Sequence, residues 1–344
     1  MKNFEQVCRL VRQGLDDGAY PSACLSVGIR GSVCVRQTFG PARETTLYDI
    51  ASLSKIVGTT MIAFRFLEEG RLRLYDTVEQ FFPAPEDKKG ITVLQLMTHT
   101  SGLPAHFYLS EEADGPGDAV RAILAHPLEH APGALPVYSC MGYILLGRIL
   151  EQIGGQSIDR LAQEYVFEPL GLTAGDVAPT ERDPATGELL RGAVHDENAR
   201  FLGGLSGNAG IFSDLCDMTR FVQMLALGGK LPDGTQFLSP ATLRAALVNR
   251  TPGAGHEFRG LGFNLAGSPS NFLGDLMSPR AYGHTGFTGT SIAVDPDTGL
   301  FVVLLTNRVC PTRENGKLIR MRSLIHNAAA AAAGRMQQEA PPWN

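Results

Sequence analysis

Two strand hairpins, one near each end of the chain, place the strongest constraint on its fold. Ala23–Ile29 and Ser32–Phe39 are β-rich runs separated by Arg30-Gly31, a two-residue hairpin signal. Ser291–Asp295 and Leu300–Thr306 form a second pair, joined by Pro296-Asp297-Thr298-Gly299, a turn by composition. Each pair has a helix outside it. Phe4, Val7, Val11 and Leu15 recur at helical spacing before Gly18. Leu318–Arg335 reads as a helix, and its later half holds the run Ala328–Ala333, alanine being the strongest helix former. The stretch between, about residues 56–265, is mostly helical. A sheet that draws strands from both termini is discontinuous in sequence. The expected fold is therefore α/β within a single domain: a mostly antiparallel sheet flanked by the terminal helices (about 1–55 and 266–344) and a helical lobe (about 56–265) inserted between strands. A pocket is expected where the two lobes meet.

Composition narrows the function classes. Residues AVILMFWYC make up 44% of the 344 residues and charged residues 19%, which excludes a disordered chain. A formal net charge of −5 leaves no basic excess for a nucleic-acid backbone. The longest apolar stretch, Ile56 to Leu67, contains Arg65 and is too short to span a bilayer, so no membrane partner is expected. Met1 to Cys8 has no apolar core of a secretory signal. Cys8, Cys24, Cys34, Cys140, Cys216 and Cys310 are scattered without a CxxC pair and read as free thiols, consistent with a cytoplasmic location.

Three motifs can carry chemistry. Ser52-Leu53-Ser54-Lys55 precedes an apolar helix, so Ser52 sits where unsatisfied N–H groups favour a developing oxyanion. Lys55 shares its helical face, and a buried ammonium that gives up its proton can accept the serine's. The plainer alternative is an N-cap serine beside a solvated lysine. Tyr138-Ser139-Cys140 lies at a loop–helix junction, where a phenol near an ammonium becomes a general base or, more commonly, only packs. Gly283-His284-Thr285-Gly286-Phe287-Thr288-Gly289-Thr290 leads into a strand, as a substrate-binding edge or simply as a glycine-rich turn.

Taken in order, these motifs resemble the serine β-lactamase and penicillin-recognising enzyme superfamily, within it the class C β-lactamase, esterase and D,D-peptidase branch. Asp76-Thr77-Val78, Leu96-Met97-Thr98-His99-Thr100-Ser101-Gly102-Leu103, Gly142 to Gly147 and Gly207 to Ser213 extend the likeness over nearly the whole chain. The resemblance implies a serine hydrolase that needs no cofactor and no metal. Ser52 would form an acyl-enzyme, while Lys55 and Tyr138 share its proton. The backbone N–H groups of Ser52 and Phe287 would form the oxyanion hole, and Cys140, His284, Thr285 and Gly286 would line the substrate side. Two departures from the family pattern matter. Cys140 stands where the family's second motif has Asn, and Cys is a weak hydrogen bonder. His284 stands where the third motif usually has Lys, and an imidazole grips a carboxylate less firmly. Both favour a small ester over an amide or β-lactam as substrate. A β-lactamase or D-amino-acid peptidase on the same scaffold is the nearest alternative.

Other readings are weaker. The chain has no Gly-x-Ser-x-Gly elbow, and Gly204-x-x-Gly207-x-x-Gly210 lacks a dinucleotide pattern. His126-Pro127-Leu128-Glu129-His130 matches a zinc peptidase motif literally, but Pro127 pulls His126 out of helical geometry. His99 is expected to be structural and His195 to border the cleft. A non-catalytic binding module on the same scaffold is the rival from another class.

Overall fold

The computed structural model describes residues 2–171, 177–183, 186–251, 253, 257–268 and 271–339. Of the stretches 104–118 and 254–281, on which specificity is expected to depend, residues 254–256, 269 and 270 lie outside those described. The elements that place the site are α1 (Glu5–Asp16), β1 (Ala23–Ile29), β2 (Ser32–Phe39), β3 (Tyr48–Asp49), α2 (Met61–Glu68), α3 (Cys140–Gly154), β4 (Phe212–Ser213), α4 (Leu215–Ala226), β5 (Asn264–Leu265), β6 (Tyr282–Thr285), β7 (Ser291–Asp295), β8 (Leu300–Thr306) and α5 (Lys317–Glu339).

The two hairpins join through their inner strands. The sheet order is β2-β1-β8-β7-β6-β5, and every pairing is antiparallel. Ala23 pairs with Thr306 and Ile29 with Leu300, so the terminal strands close the chain on itself. The turn between β1 and β2 has φ of 51° at Arg30 and 80° at Gly31, as a type I′ hairpin requires. β8 is buried at every position because both of its faces are covered. Val302 and Leu304 pack with Val7 and Val11 of α1 and Leu318 and Ile325 of α5. Phe301, Val303 and Leu305 face the other way, into the core that holds Phe221 and Val222 of α4.

A second, two-stranded pairing serves the site directly. β3 and β4 pair Tyr48 with Ser213 and Asp49 with Phe212, and the Ile50 N–H donates to the Ile211 carbonyl at 3.1 Å. This docks the 207–213 loop beside the turn that carries Ser52. Six cysteines are free thiols. No helix among the described residues is long and apolar enough to cross a membrane.

Candidate active site

Ser52 occupies a turn built by its neighbours. Ala51, just before it, has φ of 47°, a left-handed conformation that alanine adopts only when its surroundings enforce it. Asp49 supplies part of that enforcement. Its carboxylate accepts from the Ala51 N–H at 2.8 Å and from the His195 N–H at 2.7 Å. After Ser52 the chain winds through a wide π-type turn, Lys55–Thr60, into α2. Local π geometry of this kind recurs at functional sites.

Lys55 is fully buried, and its ammonium finds three acceptors: Ser52 Oγ at 3.2 Å, Cys140 Sγ at 3.6 Å and the Asn208 carbonyl at 2.9 Å. Three N–H donors match three acceptors, and a carbonyl can only accept. Burial acts to push the ammonium down. The neighbouring polar groups together outweigh this, and the net direction is up. These three acceptors hold the Lys55 ammonium in place beside the Ser52 hydroxyl. The Asn208 carbonyl reaches it because Gly207 lies hard against α3. A Cβ at Gly207 would sit 1.9 Å from the Tyr143 carbonyl oxygen, so no side chain fits there.

Tyr138 is fixed through its chain neighbours. His99, itself at φ of 59°, accepts from the Val137 N–H through its carbonyl at 2.8 Å and from the Ser139 N–H through Nδ1 at 3.0 Å. The imidazole thus brackets Tyr138 from both sides in sequence and lies against its ring, with centroids 4.4 Å apart. Burial, with the positive charges of Arg259 and Lys55 adding to it, holds His99 well below the usual histidine range, so the ring is neutral. Ser139 caps α3 by accepting from the Gly142 N–H at 2.9 Å, and this sets Cys140 in the first turn. Tyr138 Oη is buried without a hydrogen-bond partner. Burial pushes the phenol up, while the Lys55 charge and the neighbouring Ser52 hydroxyl pull it down. The phenol, the ammonium and the hydroxyl thus share one buried space.

The strand-edge loop reaches Ser52 through two threonines. Thr288 Oγ1 donates to the Asp49 carbonyl at 2.6 Å and Thr290 Oγ1 to the Ile50 carbonyl at 3.1 Å. Gly286 makes this approach possible, since a Cβ there would stand 2.4 Å from the Ile50 oxygen. Among the described residues, neither the Ser52 N–H nor the Phe287 N–H has a protein acceptor. Two backbone donors without a protein acceptor, on residues that line one cavity, suit a developing oxyanion.

Beside Ser52 lies a cavity of about 290 Å³. Tyr138, Cys140, His195 and Phe287 line it together with Asp196, Glu197 and Arg313. His195 borders the cleft as expected. His284, Thr285 and Gly286 are not among the residues lining this cavity, although Phe287 beside them is. His284 is 2% exposed, and its Nδ1 meets the Thr285 carbonyl at 2.9 Å. Burial, with Arg259 and Lys55 adding to it, holds the ring well below the usual range, so it is neutral; its centroid lies 6.0 Å from that of the Tyr138 ring. The zinc motif also fails geometrically. The helix Ala119–Ala125 ends before His126, whose ring stacks on Phe107 with centroids 4.5 Å apart.

Reading the motifs alone missed Asp49, Asn208 and Arg259. Asn208 acts through its carbonyl, which no residue type reveals. Asp49 was legible only as an acid inside an apolar run, and such an acid needs a partner. Burial pushes its carboxyl up to about 6, against the N–H donors of His195 and Ala51 that lower it. A folded-state value above the unfolded one gives a contribution to stability that is full at acid pH and lost as pH rises through about 6. The stability of the wild type relative to Asp49→Asn is therefore expected to fall by about 2–3 kcal/mol between pH 4 and pH 7. Urea unfolding at the two pH values measures this, and an equal difference at both would contradict it.

The Beta-lactamase family model matches residues 7–325. A protein of Escherichia coli K12, provisionally named D-alanyl-D-alanine carboxypeptidase, is 29% identical, with 90% of this chain and 83% of that protein covered. Among solved structures, EstCE1, described as a hydrolase with promiscuous acyltransferase activity, superposes with a TM-score of 0.75 at 23% identity over 96% of this chain and 99% of that one. A penicillin-binding protein homologue from Caulobacter crescentus gives a TM-score of 0.74 at 22% identity over 96% and 98%. At these identities the two structures speak for the fold alone.

Proposed function

The chain belongs to the Beta-lactamase family and is a serine hydrolase of it, and from that premise we propose that it hydrolyses small esters through an acyl-enzyme on Ser52. The observation that carries this reading is the contact of 3.2 Å between Lys55 Nζ and Ser52 Oγ, with Tyr138 in the same buried space. Tyr138, as a phenolate stabilised by the Lys55 ammonium, takes the hydroxyl proton as Ser52 Oγ attacks the carbonyl carbon, and becomes a neutral phenol as the negative charge passes to the carbonyl oxygen. The oxyanion forms between the N–H groups of Ser52 and Phe287. The alcohol leaves with the proton. Water, deprotonated by Tyr138, then releases the acid and restores Ser52.

Three features favour esters over carboxylate-bearing peptides and β-lactams. An ester has the better leaving group and needs less help at the departing atom. His284, at the place where the family's third motif usually carries a carboxylate-gripping lysine, is neutral and buried. Arg313, which lines the cavity, is already engaged by Glu181 and Glu197. A panel of p-nitrophenyl esters, a chromogenic cephalosporin and D-alanyl peptides tests the reading. Highest kcat/KM on the esters supports it, and highest kcat/KM on a D-alanyl peptide would replace it with the carboxypeptidase reading that the relatives' provisional names suggest.

Cys140 is the side chain through which amide recognition is weakened. Its thiol lines the cavity and meets Lys55, where an amide side chain would both donate and accept. Cys140→Asn is expected to raise the ratio of amide or β-lactam to ester kcat/KM by about fivefold, the worth of one ordinary hydrogen bond. An unchanged ratio would sink this assignment.

A further inference from the structure

One buried cation near the site has no part in the chemistry just described. Arg259 is 3% exposed, and its guanidinium carbon lies 5.3 Å from the centre of the Tyr138 ring. Lys55 Nζ lies 5.0 Å from the same centre. Both distances fall within the range over which a cation and an aromatic ring attract. Arg259 is held firmly for this contact. Its guanidinium donates to Glu257 Oε2 at 2.8 Å through Nε and to Asn264 Oδ1 at 2.8 Å through an outer nitrogen. Its backbone pairs with Asn264 of β5, and β5 in turn pairs Asn264 with Gly283 of β6, next to His284.

We propose that Arg259 is a positioning residue for Tyr138, supplying from the segment before β5 a second cation beside the ring in addition to Lys55, where position 284 holds a buried histidine. The inference rests on Tyr138 acting as the base, as proposed above. A base of this kind must lose its proton inside a buried space, where burial alone opposes the anion. Lys55 offsets part of that cost. Arg259 adds a second cation at 5.3 Å from the ring centre and, being planar and fixed at two points, does so without competing for the Ser52 hydroxyl. The charged and titratable groups around the ring are Lys55 ahead of α2, Cys140 and Tyr143 on α3, His99 on its loop, His284 on β6, and Arg259 with its partner Glu257. Of these, Lys55 and Arg259 carry positive charge at neutral pH, because both imidazoles are held neutral.

The test is the pH profile of kcat/KM on a p-nitrophenyl ester, read with thermal unfolding and Ser52 labelling by a fluorophosphonate. Arg259→Gln is expected to move the rising limb up by about one pH unit and to lower kcat/KM at pH 7 by about tenfold. Adding His284→Lys to that variant is expected to return the limb toward the wild-type position. Glu257→Gln keeps the guanidinium and removes its carboxylate, so its limb is expected to move down. A limb that stays put in Arg259→Gln, or an equal loss of rate at every pH, makes Arg259 merely structural and overturns the proposal. If Arg259→Gln does not fold, an unmoved limb in Glu257→Gln overturns it. A wild-type chain that neither turns over esters nor takes the label defeats the acyl-enzyme reading itself, whereas an active wild type with unmoved variant limbs defeats only the role of Arg259.

Discussion

Ser52→Ala is expected to abolish ester turnover and covalent labelling together while leaving the fold intact. Ser52 is half-buried, and its hydroxyl accepts a hydrogen bond from Lys55 beside the Tyr138 phenol. Its loss removes little packing, so the thermal midpoint should move by no more than a few degrees. Activity should fall by at least about 10⁴-fold, because the nucleophile acts as a unit with its proton acceptor. The free N–H groups of Ser52 and Phe287 belong to the backbone and remain in the variant, so any residual rate reports their worth alone. Release of p-nitrophenolate measures the loss. Turnover within tenfold of the wild type would mean that the reaction proceeds elsewhere.

Lys55→Met is expected to cost at least about 10³-fold in kcat/KM. The side chain has near-equal length, so the cavity is filled, but the ammonium that offsets charge on Tyr138 is gone. The double variant Ser52→Ala/Lys55→Met should be no slower than Ser52→Ala alone, since groups that act as one unit are not additive. A double variant slower by a further large factor would place Lys55 in a separate task. Thermal unfolding separates chemistry from architecture here. Lys55 ties three segments together at Ser52, Cys140 and Asn208, and a variant that loses its cooperative transition would show that the tie matters more than the charge.

The sheet was legible in the chain because its inner strands are buried on both faces. Leu300–Thr306 has no room for alternation, and a continuous apolar run bounded by turns is what such a strand looks like. Arg30-Gly31 was legible for a different reason, since a two-residue loop between β-rich runs leaves few turn types. The two-residue pairings of β3 with β4 and β5 with β6 were not legible. Pieces that short carry no periodicity, and here tertiary contacts decide them. At the site, Ser52, Lys55, Tyr138 and Cys140 could be read because chemistry fixes residue type and spacing together. His284 could be read as present but not as buried. Its neutrality follows from burial, with Arg259 and Lys55 close in space adding to it, and none of these is written in the motif around position 284. Arg259 itself is one arginine among glycine and apolar residues, and only the fold turns it onto the Tyr138 ring. Thr288 and Thr290 lie inside the Gly283–Thr290 motif, yet their work is to tie that loop to the carbonyls of Asp49 and Ile50.

The most direct test of the acyl-enzyme is rapid-quench mass spectrometry of the protein mixed with a p-nitrophenyl ester. A covalent adduct of one acyl group should form within the first turnover, map to the peptide containing Ser52, and persist longer in Tyr138→Phe, where the water lacks its base. An adduct mapped to Cys140, or turnover that continues with no adduct formed on any residue, would contradict the account.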